Sequence, residues 1–132
     1  MSSIRVPKSG DQFVNKTDMN KICNDFLNFY YNTWRLNVQQ LITSPIWKPH
    51  SKINIEGRAM PPHEAVQFHQ NFQGAVFEKI SHQFVPDGSR RLDIMVKGRI
   101  SKGGHSKIFV QCFALVELKG SFFIKSTQFY FI

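Results

Sequence analysis

Acidic residues are scarce: nine Asp and Glu stand against seventeen Lys and Arg in 132 residues, a formal charge of +8. That balance favours nucleic acid, an anionic membrane surface or an acidic protein; it equally suits a solvated basic surface with no polyanion site. Cysteine is scarcer still. Cys23 and Cys112 lie far apart and form no C-x-x-C pair, which argues against a disulfide scaffold. Two buried thiols in a reducing compartment are expected instead. No apolar run is long enough to span a bilayer, and Met1-Ser-Ser-Ile-Arg-Val-Pro holds no apolar stretch of signal-peptide length. An intracellular protein is therefore expected, with Asn15-Lys16-Thr17 a chance match to the glycosylation pattern. Repeats and low-complexity blocks are missing too.

What the chain does have is apolar bulk: 42% apolar residues, 14% aromatic, thirteen of them Phe. This composition predicts one globular domain with a ring-packed core. Residues 1–16 mix Ser, Gly, Lys and Pro without periodicity and are expected to be a flexible lead-in to a domain over 17–132. Thr17 or Asp18 is a good N-cap. From Met19 to Leu41 the apolar residues Cys23, Leu27, Tyr30, Trp34, Val38 and Leu41 fall at helical spacing, with Ile22, Phe26 and Phe29 widening the stripe. One long helix is predicted there, ended by Thr43-Ser44-Pro45. A loop over 45–52 leads to a short strand, Lys52 to Glu56, and Pro61-Pro62 opens a second helix with Ala65, Phe68 and Phe72 on one face. Four strands follow: Val76 to Val85, Arg91 to Ile100, Lys107 to Leu118 and Ser121 to Ile132. Pro86-Asp87-Gly88-Ser89, the Gly103-Gly104 pair and Lys119-Gly120 supply the turns.

Helices on one face of an antiparallel sheet make an α+β domain. Such a sheet should alternate dry and wet residues, yet the third strand is apolar both ways: Phe109, Phe113 and Leu115 on one side, Val110, Cys112, Ala114 and Val116 on the other. The fourth repeats this, with Phe123, Phe129 and Phe131 against Phe122, Ile124 and Tyr130. The bulky set should fill the space under the helices. The smaller set suits close sheet-to-sheet approach by a partner, or a cover from the same chain.

Phe26-Leu27-Asn28-Phe29-Tyr30-Tyr31 is similar to the Phe-Val-x-x-Tyr-Tyr helix of the nuclear transport factor 2-like family. Ile55-Glu56-Gly57 is similar to its Trp-Glu-Gly strand end, with Ile in place of Trp. Phe77-Glu78-Lys79-Ile80-Ser81-His82 resembles Phe-Gln-Lys-Ile-x-His, and Phe109-Val110-Gln111-Cys112-Phe113-Ala114-Leu115 resembles Phe-x-Gln-x-Phe-x-Leu. The resemblance implies a cone-shaped fold, helices packed on one face of a curved antiparallel sheet, that dimerises through the outer sheet face. The expected partner-binding residues are Asp93, Met95, Lys97, Arg99, Val110, Cys112, Ala114, Ile124, Gln128 and Tyr130.

Within that family the carrier of GDP-bound Ran is similar at Glu56, but its acidic hairpin is here Ser101 to Lys107, without a carboxylate. Reversed charge should weaken that recognition. A basic chain looks more like the small subunit of the messenger RNA export receptor, which pairs with a related domain of the large subunit. The dimer then meets Phe-Gly repeats at the nuclear pore. A shuttling protein of nucleus and pore is the expectation, with a homodimeric Ran carrier as the alternative. Arg90, Arg91, Lys102 and Lys107 are candidate phosphate or RNA contacts, or else a solubilising rim. Steroid isomerases and dehydratases share the family and need an acid or base inside the cone. The inward positions Leu92, Ile94, Val96, Phe109, Gln111 and Phe113 include no carboxylate, while His82 and Tyr30 fit as hydrogen-bonded core. No catalysis, cofactor, metal or small-molecule substrate is expected. His63 and His69 fall on different helix faces, without metal spacing.

Overall fold

The computed structural model describes residues 4–5, 16–86 and 90–132, with side chains from residue 18 onward. The first helix, α1 (Lys16–Leu36), buries Ile22, Cys23, Phe26, Leu27, Tyr30 and Trp34. Asp18 in its first turn and Arg35 in its last suit the helix dipole. It does not run on to Leu41. Asn37 is extended, and its side-chain oxygen accepts from the Gln40 N–H at 3.0 Å, capping a second helix, α2 (Val38–Ile42). The Val38 N–H, released by the break, donates to Gln73 Oε1 at 2.8 Å. Apolar spacing cannot detect this bend, because Trp34, Val38 and Leu41 stay in the core on both sides of it.

Strand β1 (Ile4–Arg5), inside the segment expected to be a flexible lead-in, pairs with Phe122 and Ser121. The rest of 1–15 lies outside the described residues. Strand β2 starts at Trp47 rather than Lys52 and runs to Ile55, and a turn at Glu56-Gly57 leads to a short β3 (Arg58–Met60) that the sequence did not suggest. A 3₁₀ turn (Pro62–Ala65) opens the helix α3 (Val66–Asn71). Strands β4 (Val76–Pro86), β5 (Arg91–Lys102), β6 (His105–Leu118) and β7 (Ser121–Phe131) form the expected meander. Gly103-Gly104 and Lys119-Gly120 close the two described hairpins of the meander with positive φ at both residues. Of the β4–β5 turn, 87–89 lie outside the described residues.

The seven-stranded sheet has the order β3-β2-β7-β6-β5-β4, with β1 also on β7. It is mixed rather than antiparallel throughout, because β2 runs parallel to β7. The helices cover one face. There Tyr30 meets Phe113 edge-on at 5.0 Å, Trp34 meets Phe77 at 4.7 Å, and Phe109 stacks on Phe129 at 5.0 Å. Gly98 makes room for that stack. A Cβ at this position would come within 2.7 Å of the Phe109 ring and 2.9 Å of the Glu78 carbonyl oxygen.

A bulge on β7 overturns one sequence expectation. Ala114 pairs with Ser126 but Leu115 with Ile124, so Lys125 is an extra residue and the side-chain alternation reverses across it. Ile124, expected on the partner face, is fully buried in the core beside Phe122, whereas Phe123 points outward.

Candidate protein interface

The uncovered face of the sheet carries the remaining candidate residues. The ladder sets them in rows across four strands. One row runs Gln83, Met95, Cys112, Gln128 and the next Val85, Asp93, Ala114, Ser126. A third runs Ser81, Lys97, Val110, Tyr130. A depression of ≈ 270 Å³ opens over the first two rows. Met95 is 51% and Tyr130 37% exposed, large apolar side chains left in water on a face that no described segment covers. Single exposed apolar residues are ordinary; a continuous strip of them between charged neighbours marks a contact surface.

The charges around the strip are mostly matched. Arg91 Nε donates to Asp93 at 3.1 Å, and Arg99 pairs with Glu78 at 3.2 Å. Lys97, between them, has no ion pair among the described residues. Cys112 is half-buried rather than buried, and burial, with Asp93 beside it, raises its thiol above the usual range. Cys23 is buried, as expected, and pushed up to about 12. Neither thiol is activated as a nucleophile.

The candidate phosphate contacts do not come together. Arg90 and Arg91 stand at the start of β5, whereas Lys102 ends that strand and Lys107 lies on β6 opposite Ile100, roughly 30–35 Å away at the rise of a strand. Each is also engaged within the chain. Arg90 pairs with Glu117 at 3.0 Å, Lys102 donates to the Asn71 carbonyl at 3.0 Å, and Lys107 sits 4.9 Å over the Phe131 ring.

Inside the cone, a chain of hydrogen bonds links Tyr31, Gln111 and Thr127. The Tyr31 hydroxyl donates to Gln111 Oε1 at 2.7 Å, Gln111 Nε2 to Thr127 Oγ1 at 2.9 Å, and Thr127 to the Cys112 carbonyl at 2.8 Å. His69 Nδ1 lies 2.7 Å from the Ala65 carbonyl, which sets the proton there and leaves Nε2 facing the Tyr30 hydroxyl at 3.5 Å. Burial lowers the His69 pKa to about 4 and raises Tyr30 and Tyr31. All these groups are partnered and close-packed by rings, as a structural network would be. His82 is half-buried on β4, with its pKa lowered by burial and by Lys79.

Sequence reasoning overlooked Lys48 and His50, which lie on β2 where a loop was expected, and gave no role to Lys52, the first residue of the expected strand. Pro49 and the polar composition of this stretch are weak strand signals, which leaves its pairing to the neighbouring β7.

The sequence matches no family model and no curated protein. Solved structures do match. The yeast UBP3-associated protein Bre5 superimposes with a TM-score of 0.71 at 17% identity, over 91% of this chain and 98% of that one. The yeast deubiquitinase Ubp3 and Bre5 cofactor complex gives 0.70 at 18%, over 86% and 96%. A nuclear transport factor 2-like protein of unknown function from Pseudomonas aeruginosa gives 0.69 at 9%, over 83% and 98%. The fold is nuclear transport factor 2-like. A putative ketosteroid isomerase from Shewanella frigidimarina shares it with a TM-score of 0.67 at 8% identity, over 80% of this chain and 91% of that one. At such identities, fold alone carries over.

Proposed function

We propose that this chain is a non-catalytic interaction subunit that docks through its outer sheet face on a related domain. Its setting would be the nuclear messenger RNA export heterodimer, with passage through Phe-Gly-lined pores. The observation that carries the reading is the uncovered strip of Met95, Val110, Cys112, Ala114 and Tyr130 around Lys97. In support, a protein of this fold, Bre5, is described as a cofactor in complex with Ubp3. The Ran-carrier alternative draws less support. Glu56, its acidic contact, is already committed, accepting the Phe131 N–H at 2.6 Å. Catalysis draws less support as well: among the described residues the polar groups of the cone interior are bonded to one another and none is a carboxylate.

The test is sedimentation of the purified chain alone and mixed with a nuclear transport factor 2-like domain of a large export receptor. The chain alone should self-associate, and the mixture should give a one-to-one complex. Met95→Asp and Lys97→Glu should each abolish the complex while the circular dichroism stays unchanged. A well-behaved wild-type monomer that ignores the receptor domain would sink the proposal; binding to GDP-loaded Ran would favour the alternative.

A further inference from the structure

The outer face continues past the strip into a groove of ≈ 510 Å³, which meets the first depression at Ser126. Two irregularities set side by side create it. β2 pairs with β7 at Trp47–Ile124 and again only at Lys52–Ser126, so the stretch between holds more residues than its partner and bows out of the ladder. The Ser51 hydroxyl fixes the bow, accepting the Lys48 N–H at 2.7 Å and donating to the Ile124 carbonyl at 2.5 Å. Opposite stands Lys125, the extra residue of the β7 bulge.

The floor is apolar: Val116, Phe123 and Leu118, the last 46% exposed. The walls are formed by three cations, Lys48, Lys52 and Lys125, together with His50, and no carboxylate among the described residues lines the groove. Lys48 rests 3.7 Å over the Phe123 ring. Lys52 and Lys125 have no ion pair among the described residues.

We propose that this groove docks a short linear segment of a partner protein in which an aliphatic anchor is flanked by carboxylates. The anchor displaces water from Val116 and Leu118, and the carboxylates meet Lys52 and Lys125. Charge complementarity selects this occupant. The chain's own residues 1–16 carry Arg5, Lys8 and Lys16 against Asp11 and would meet like charge. The same groove on a second copy repeats the cations. Bases stack on open aromatic faces, and Lys48 occupies that of Phe123. Bilayer insertion needs an apolar face that reaches the acyl boundary, and this one is recessed between cations. The groove lies beside the strip assigned to the related domain, so the two assignments stand or fall separately.

The probe is fluorescein-labelled Asp-Asp-Glu-Leu-Leu-Asp-Glu-Asp, titrated with the full chain and read by anisotropy. Saturable binding is expected, weakened about tenfold or more by the double variant Lys52→Glu/Lys125→Glu and similarly by Leu118→Asp. Met95→Asp should leave it unchanged. Lys52→Ala/Lys125→Ala, a milder change, should give an intermediate loss. The proposal is overturned by no saturable binding, by equal affinity for a peptide with both Leu replaced by Gly, or by wild-type affinity in the double reversal. Loss of binding in Met95→Asp overturns it as well. Tighter binding of single-stranded RNA or phosphatidylserine vesicles than of the peptide, lost in the double variant, would assign the groove to those ligands instead.

Discussion

On β5, Leu92, Ile94 and Val96 lie buried under the helices, while the residues between them, Asp93, Met95 and Lys97, face outward. The same contrast runs through β6. Inward, Phe109, Gln111 and Phe113 meet rings and hydrogen-bond partners. Outward, Val110 and Cys112 are half-buried and Ala114 buried, with no described segment packed above them. One face is complete and the other is not. Completion of the inner face should make its substitutions act on stability, whereas those on the outer face should act on association.

The largest effect should come from Trp34→Ala, which removes a fully buried ring packed against Phe77 and Phe129 and strips a donor from the His69 carbonyl. A loss of about 3–5 kcal/mol in urea unfolding is expected. Acid should come next. Unfolded, His69 titrates near 6.5; folded, burial holds it at about 4. Between those values the unfolded chain takes up a proton that the folded chain refuses. Stability is therefore full above pH 6.5 and falls as pH drops towards 4, by up to about 3 kcal/mol. Subtracting the profile of His69→Gln isolates this share; parallel profiles would contradict it. Gly98→Ala should cost about 1–3 kcal/mol, because the new methyl collides with Phe109 and the Glu78 carbonyl. Smallest of all, Met95→Asp should change the stability of the single chain by no more than about 0.5 kcal/mol. A destabilisation by Met95→Asp as large as that by Gly98→Ala would erase the distinction between the faces.

Most of the meander was legible. Alternation located β4 to β7, and paired turn residues placed two hairpins where positive φ is found. The outward-facing set was legible on β5 and β6, whose pleat is regular from Arg91 to Val116 across the pairing. It was misjudged on β7 at Ile124, where Lys125 resets the pleat. Phe-Ile-Lys-Ser is compatible with either register, since Phe123 and Ile124 could each fill a core site. The break at Asn37 escaped for a related reason: the apolar spacing is satisfied by one helix or by two.

The sequence by itself determined a two-sided sheet, helices enough to cover one side, and an excess of positive charge. Period-two and period-3.6 patterns are local and survive without knowledge of the neighbours. Only the tertiary structure decided which side chains cross at the bulges, and so that Lys125 joins the distant Lys48 and Lys52 as walls of one groove. Where a ladder gains a residue is settled by packing between strands, and that packing exists only once the chain has folded.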